Sequence, residues 1–254
     1  MDAIRASLVL GRRALRETLR APDALLPTLF IPLFFLVVNT GQAARIFPAG
    51  DTDFLGGQGY AAFQLPNSLV LAASFGSAAL YLVEEIEGGY FDKLRATPIS
   101  RMAIITGRLY SEVVKTVVLT TAMVLVALPF GVRLRSGFPG FAVLVALVAL
   151  WGMAFSGFMQ LIALKTRSAA ATNAGSLIFF PLLFLTPSFV PRNLLTRPME
   201  VAATFNPVTY IIEAARSLLL DGFAWGTIGR GFAVVVAAVA IMLGLSVRMI
   251  NNYD

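Results

Sequence analysis

Cysteine and histidine are absent from this chain of 254 residues, and lysine occurs only at Lys93, Lys115 and Lys165. Without cysteine there are no disulfides, thiolate metal sites or thiol nucleophiles, and without histidine the commonest general base and zinc ligand are missing too. Catalysis, a metal site and a resident cofactor on this chain are therefore not expected. None of the lysines follows a glycine, so there is no G-x-x-x-x-G-K-S/T loop to cradle a nucleotide phosphate. Charge is scarce as well. Only 13% of residues are charged against 57% hydrophobic, and the mean hydropathy of +0.79 is far above that of a soluble domain of this length. The composition is that of an integral membrane protein. The net charge of +6 does not make nucleic acid a partner, because the basic residues are scattered over the ends of apolar runs, where membrane topology alone places them.

A span needs roughly 20 mainly apolar residues, and six stretches qualify, at about 25 to 43, 60 to 83, 103 to 131, 139 to 164, 170 to 189 and 228 to 249. Backbone polar groups in lipid must be satisfied internally and period-two alternation is missing, so these are helices and the fold is all-α. Residues 2 to 20 place Ile4, Leu8, Gly11, Leu15 and Leu19 on one helical face with the arginines mostly off it. That pattern predicts an amphipathic helix along the membrane surface, or a plain basic topogenic tail. No small-residue cleavage site follows, so no removable signal peptide is expected. Basic residues before the first span, at Lys93, Arg95, Arg101 and Arg108, at Lys165 and Arg167 and at Arg248 predict cytoplasmic termini. Arg133 and Arg135 depart from that rule.

The densest charge lies in Glu84 to Arg101, EEIEGGYFDKLRATPISR. Tyr90, Phe91 and Leu94 share a helical face among Glu84, Glu85, Glu87, Lys93 and Arg95, which predicts a short amphipathic helix offered to a partner. Gly88 and Gly89 break the preceding helix, and Thr97 before Pro98 reads as an N-cap with proline at the first helical position. A second segment, 186 to 222, is too polar to span and too apolar to be a free loop. Asn206 and Pro207 form another cap-and-proline pair, and the helix from Pro207 to Leu220 is too short to cross, so a re-entrant or interfacial hairpin is expected. Glu213 and Arg216, at i and i+3, are placed to neutralise each other.

EEIEGGYFDKLRATPISR resembles the cytoplasmic-loop motif of ABC-2 type ABC-transporter permeases, an acidic Glu-x-Gly stretch followed by a leucine-rich turn and A-T-P-(V/I)-S-R. PSFVP with NPVTYIIEAAR and Gly222 is similar to the same family's proline-rich stretch and N-P…R…G before the last span. EIEGG departs from the family pattern in lacking a basic residue between the acids. The resemblance covers nearly the whole chain, 1 to 254, as one transmembrane domain. It implies a connecting helix at 2 to 21, a coupling loop at 84 to 101 and external re-entrant helices at 186 to 222. It implies further that Glu84, Glu85, Glu87, Gly88, Tyr90, Phe91, Leu94, Arg95, Pro98 and Arg101 seat on a separate ATP-binding subunit, present in two copies and carrying the ATP and Mg. The other implied partners are a second permease copy, identical or closely related, and membrane lipid. The location implied is the plasma or inner membrane.

Polar residues within spans are costly and usually face a cavity or another helix, which singles out Gln64, Asn67 and Ser68 in the second span and Asn173 and Ser176 in the fifth. In the family the first, second and fifth spans line the path, so Phe30, Phe34 and Phe180 are candidates for an apolar wall, although phenylalanine in a span also simply meets lipid. Glu112 and Lys115 read as a self-neutralising pair or a proton relay. The implied activity is export of hydrophobic or amphiphilic, drug-like compounds. Export of a lipid-linked glycan or other envelope lipid, an ion-driven transporter and a membrane scaffold are the competing readings.

Overall fold

The computed structural model describes residues 9–16, 22–75, 78–96 and 101–251. Among these residues every regular element is helical, as the hydropathy pattern requires. A short helix α1 covers 9–16 and is followed by α2 (Pro22–Ala43), α3 (Tyr60–Ser74), α4 (Ala78–Glu87), α5 (Tyr90–Arg95) and α6 (Arg101–Ala127). Then come α7 (Gly137–Thr166), α8 (Ala169–Ser176), α9 (Phe179–Phe184), α10 (Arg197–Phe205), α11 (Pro207–Leu220) and α12 (Trp225–Asn251). Among the described residues five stretches are long and apolar enough to cross a membrane: Leu26–Ala43, Tyr60–Glu87, Thr106–Phe130, Gly137–Thr166 and Trp225–Ile250.

The fifth span, expected at 170 to 189, corresponds to α8 and α9, where Ala169–Phe184 is apolar but shorter than the rest. Pro181 follows the interruption. It has no N–H to give the Leu177 carbonyl four residues back, and that carbonyl is taken instead by the Phe180 N–H at 3.1 Å. The second span is also divided. α3 ends at Ser74, and Phe75 leaves the helix with φ −83° and ψ 71°. The break is held by side chains from two neighbours. Lys115 Nζ donates to the Phe75 carbonyl at 3.0 Å, Trp151 Nε1 donates to Ser74 Oγ at 2.9 Å, and Lys115 is ion-paired to Glu112. The i, i+3 neutralisation read from the sequence is therefore made, in a place where both side chains are almost wholly enclosed.

α3 is the axis of the bundle. All of its residues are buried, and it packs against α2, α6, α7 and α11. On α2, by contrast, Thr28, Pro32 and Leu36 face inward while Leu26, Phe30, Phe34 and Val37 are exposed along the opposite stripe.

α11 explains how a helix too short to cross can lie inside such a bundle. Its N-terminus is capped by Asn206, whose side chain accepts from Val208 N at 3.0 Å and donates to the Leu182 carbonyl at 2.5 Å. Its last carbonyls, which no helical N–H can reach, are taken by distant loops. Gln58 Nε2 donates to Leu219 O at 2.8 Å, Ser136 Oγ to Leu218 O at 2.8 Å, and Arg135 Nη1 to Leu220 O at 3.1 Å. Arg135, an exception to the basic-residue rule, thus serves as a C-terminal cap with its charge at the negative end of the helix.

Candidate functional site

One end of the bundle carries α1, α4 and α5. Gly88 and Gly89 turn the chain between α4 and α5: Gly89 adopts φ +67°, a conformation that favours glycine, and Gly88 N–H bonds Glu84 O at 2.9 Å. The apolar face of α5 is not offered outward. Phe91 is completely buried, Leu94 is buried, and Tyr90 is half-covered beneath the Arg13 guanidinium, which lies 4.0 Å from its ring centroid. The expectation of an aromatic face presented to a partner is corrected accordingly. Both residues join the chain's own hydrophobic core, because a six-residue helix in water is held only by burying that face.

Glu85 is also turned inward. It is ion-paired with Arg108 of α6 and lies 3.4 Å from Arg13 of α1. The approach of α1 to α6 requires glycine: a Cβ on Gly11 would come within 2.6 Å of Tyr110 Cδ1 and 3.0 Å of Gly107 O. Glu84, Glu87 and Lys93 are exposed on this foot, as are Gly88 and Ala96. Of the other candidates, the Arg95 backbone closes α5 and that of Arg101 opens α6, whereas Thr97 and Pro98 lie outside the described residues.

The candidate pathway residues divide. Gln64, Asn67 and Ser68 of α3 and Phe180 of α9 line one crevice together with Phe35 of α2 and Phe184 of α9, a space of about 20 Å³, room for one water. Asn67 Nδ2 donates to Ser188 O at 2.6 Å. Among the described residues Asn67 Oδ1 and Ser68 Oγ have no partner although both are buried. Phe30 and Phe34 stack on each other with centroids 6.2 Å apart on the exposed stripe of α2, away from the crevice. Asn173 is exposed, and Ser176 donates to its carbonyl at 2.6 Å, so neither joins the crevice.

At the opposite end, the expected Glu213–Arg216 pair is not formed. Glu213 accepts two parallel bonds from Arg192, at 3.0 and 2.9 Å, the bidentate geometry that makes an arginine–carboxylate pair strong. Arg216 turns inward instead, donating to Phe63 O at 3.2 Å and Pro187 O at 3.1 Å, with its guanidinium 3.5 Å from the Phe63 centroid. Burial pushes its pKa down to about 9, against the opposing pull of Glu213 and Tyr60. Burial likewise raises Asp221 above the usual carboxylate range, an effect countered by Arg135. No sequence spacing marks the Arg192–Glu213 or Arg13–Glu85–Arg108 contacts, since each joins segments far apart in the chain.

Apolar helices of spanning length around a buried polar axis, with a charged foot at one end and a short helix folded back at the other, define a polytopic α-helical membrane protein of the transporter class. More particularly, the chain belongs to the ABC-2 type transporter family, whose model matches residues 5–220. It is 24% identical over 253 residues to the daunorubicin resistance ABC transporter permease protein DrrB1 of Streptomyces coeruleorubidus, covering 98% of this chain and 87% of that protein. It is 27% identical over 222 residues to the putative transport permease ycf38 of Cyanophora paradoxa, covering 85% and 74% respectively. A match at 23% identity over 144 residues to the probable doxorubicin resistance ABC transporter permease protein DrrC of Mycobacterium tuberculosis spans about half of each chain, 57% and 52%.

Proposed function

We propose that this chain is the membrane half of an ABC exporter that moves hydrophobic or amphiphilic, drug-like compounds out across the plasma membrane. Two ATP-binding subunits supply ATP and Mg, and a second permease copy completes the pathway. In this reading the foot end and both termini are cytoplasmic, and α8 with α9 makes the sixth crossing in a locally thinned or partner-covered stretch. The reading is supported most by the foot itself. Its apolar and central acidic groups are spent on α1 and α6, so Glu84, Glu87 and Lys93 form a polar edge on a rigid element joined through α4 to the divided second span. A push on that edge is transmitted to α4, and the break at Phe75 lets α4 tilt relative to α3. Nucleotide drives such a change only if it binds one arrangement more tightly than the other.

The cargo class follows the relatives named for daunorubicin and doxorubicin resistance and the phenylalanines around the polar floor of Gln64, Asn67 and Ser68. The test is co-expression with an ABC-type ATP-binding subunit, followed by reconstitution in liposomes. Anthracycline efflux should depend on ATP and be lost in the Glu84→Lys/Glu87→Lys double variant, with the ATP-binding subunit no longer co-purifying. Full efflux by that variant would remove the foot from the mechanism, and ATP-independent efflux would reject the ABC reading.

A further inference from the structure

Beyond the foot and the crevice, the end of the bundle carrying α11 holds a space of about 290 Å³ bordered by Phe63, Arg192, Glu213, Arg216, Asp221 and Thr227. It is roomy enough for a small polar group with accompanying water. Two arginines and two carboxylates border it, and they are not engaged alike. Glu213 has both carboxylate oxygens engaged by Arg192, and Asp221 has Arg135 within electrostatic reach. Arg216 is left as the one cation bordering this space whose contacts are neutral: two backbone carbonyls and the face of Phe63. It is 8% exposed, and among the described residues its Nη2 has no hydrogen-bond partner. A guanidinium carries five N–H donors, and an enclosed N–H left without an acceptor is costly; Glu213 offsets the Arg216 charge only at a distance.

We propose that this space is an anion site, in which a phosphate oxyanion supplies the acceptor that Arg216 Nη2 lacks, with Arg192 at the rim. The chemistry is shared by inorganic phosphate and by the phosphodiester of a phospholipid headgroup. The site is separate from the crevice lined by Gln64 and Asn67, and it does not depend on which compound is transported.

The experiment uses the full chain purified in uncharged detergent and delipidated, with inorganic phosphate and phosphatidylglycerol added in separate arms. Bound molecules per chain are counted by native mass spectrometry, and affinity is read from the shift in unfolding temperature. The wild-type chain should take up one molecule of at least one probe. Uptake from phosphate alone identifies a free-anion site, and uptake from phosphatidylglycerol alone a headgroup site. Arg216→Gln should weaken binding about tenfold or more, as expected for loss of a charge-assisted contact. Arg192→Gln, on the 3-10 turn Arg192–Leu194, leaves Glu213 negative and unneutralised and should weaken binding as well. Arg192→Gln/Glu213→Gln restores the balance and should recover it, while Arg230→Gln, on an exposed turn of α12, should change nothing. Absence of binding to both probes, or equal binding by wild type and Arg192→Gln, overturns the proposal and leaves the space to water.

Discussion

Truncating Phe91 and truncating Glu87 should have opposite signatures, although both lie on the same foot. Phe91 is fully enclosed by its own chain, and removing a buried phenylalanine ring typically costs about 3–5 kcal/mol, from lost transfer free energy plus the cavity left behind. α5 is only six residues long, with Tyr90 beneath Arg13 and the adjoining Glu85 of α4 paired with Arg13 and Arg108. A loss of about 3 kcal/mol raises the population of the locally opened foot by roughly two orders of magnitude. Hydrogen exchange of a peptide spanning 84–96 should therefore accelerate by about that factor in Phe91→Ala, while peptides from α7 keep their protection. Glu87 is exposed, and a surface truncation of this kind usually changes stability by within about 0.5 kcal/mol. Glu87→Ala should leave exchange unchanged and alter only the response of the ATP-binding subunit. If Phe91→Ala leaves the 84–96 peptide as protected as wild type, the inward placement of the ring is wrong and the aromatic face belongs to a partner.

Two further substitutions probe the contacts on either side of the foot. Gly11→Val places carbon where Tyr110 and Gly107 O already stand at 2.6 and 3.0 Å, so it should unseat α1. Because the natural chain has no cysteine, spin labels on Val9→Cys and Lys93→Cys would report this without background, and an unchanged distance distribution in Gly11→Val would count against the docked position of α1. Lys115→Met strands the buried Glu112 carboxylate and frees the Phe75 carbonyl, which should destabilise the protein by about 3–5 kcal/mol. Glu112→Gln/Lys115→Met should recover most of that loss in thermal unfolding, and a single variant as stable as the double would show that the pair does not hold the divided span.

Composition and hydropathy alone determined that the chain is a helical membrane protein, where most of its spans run, and that Asn206 and Pro207 open a helix too short to cross. Those features are local. They follow from run length, from the absence of water in lipid, and from the capping chemistry of single residues, and they need no knowledge of neighbours. The division of the fifth apolar stretch was not legible, because Pro27, Pro32 and Pro66 withhold their N–H groups just as Pro181 does and the helices around them stay continuous. The tertiary structure alone decided which way each amphipathic face turns. Tyr90, Phe91 and Leu94 form the same stripe whether a partner or the parent chain covers it, and here α5 is covered by its own chain. Glu213 stands three residues from Arg216 on paper, yet it pairs with Arg192 because the fold turns Arg216 inward to the Phe63 and Pro187 carbonyls. Gln64, Asn67 and Ser68 meet Phe180 while Phe30, Phe34, Asn173 and Ser176 do not, because rotation of each helix about its axis is set by packing against the others. Periodicity gives a helix its two faces, but only the surrounding helices determine which one is inside.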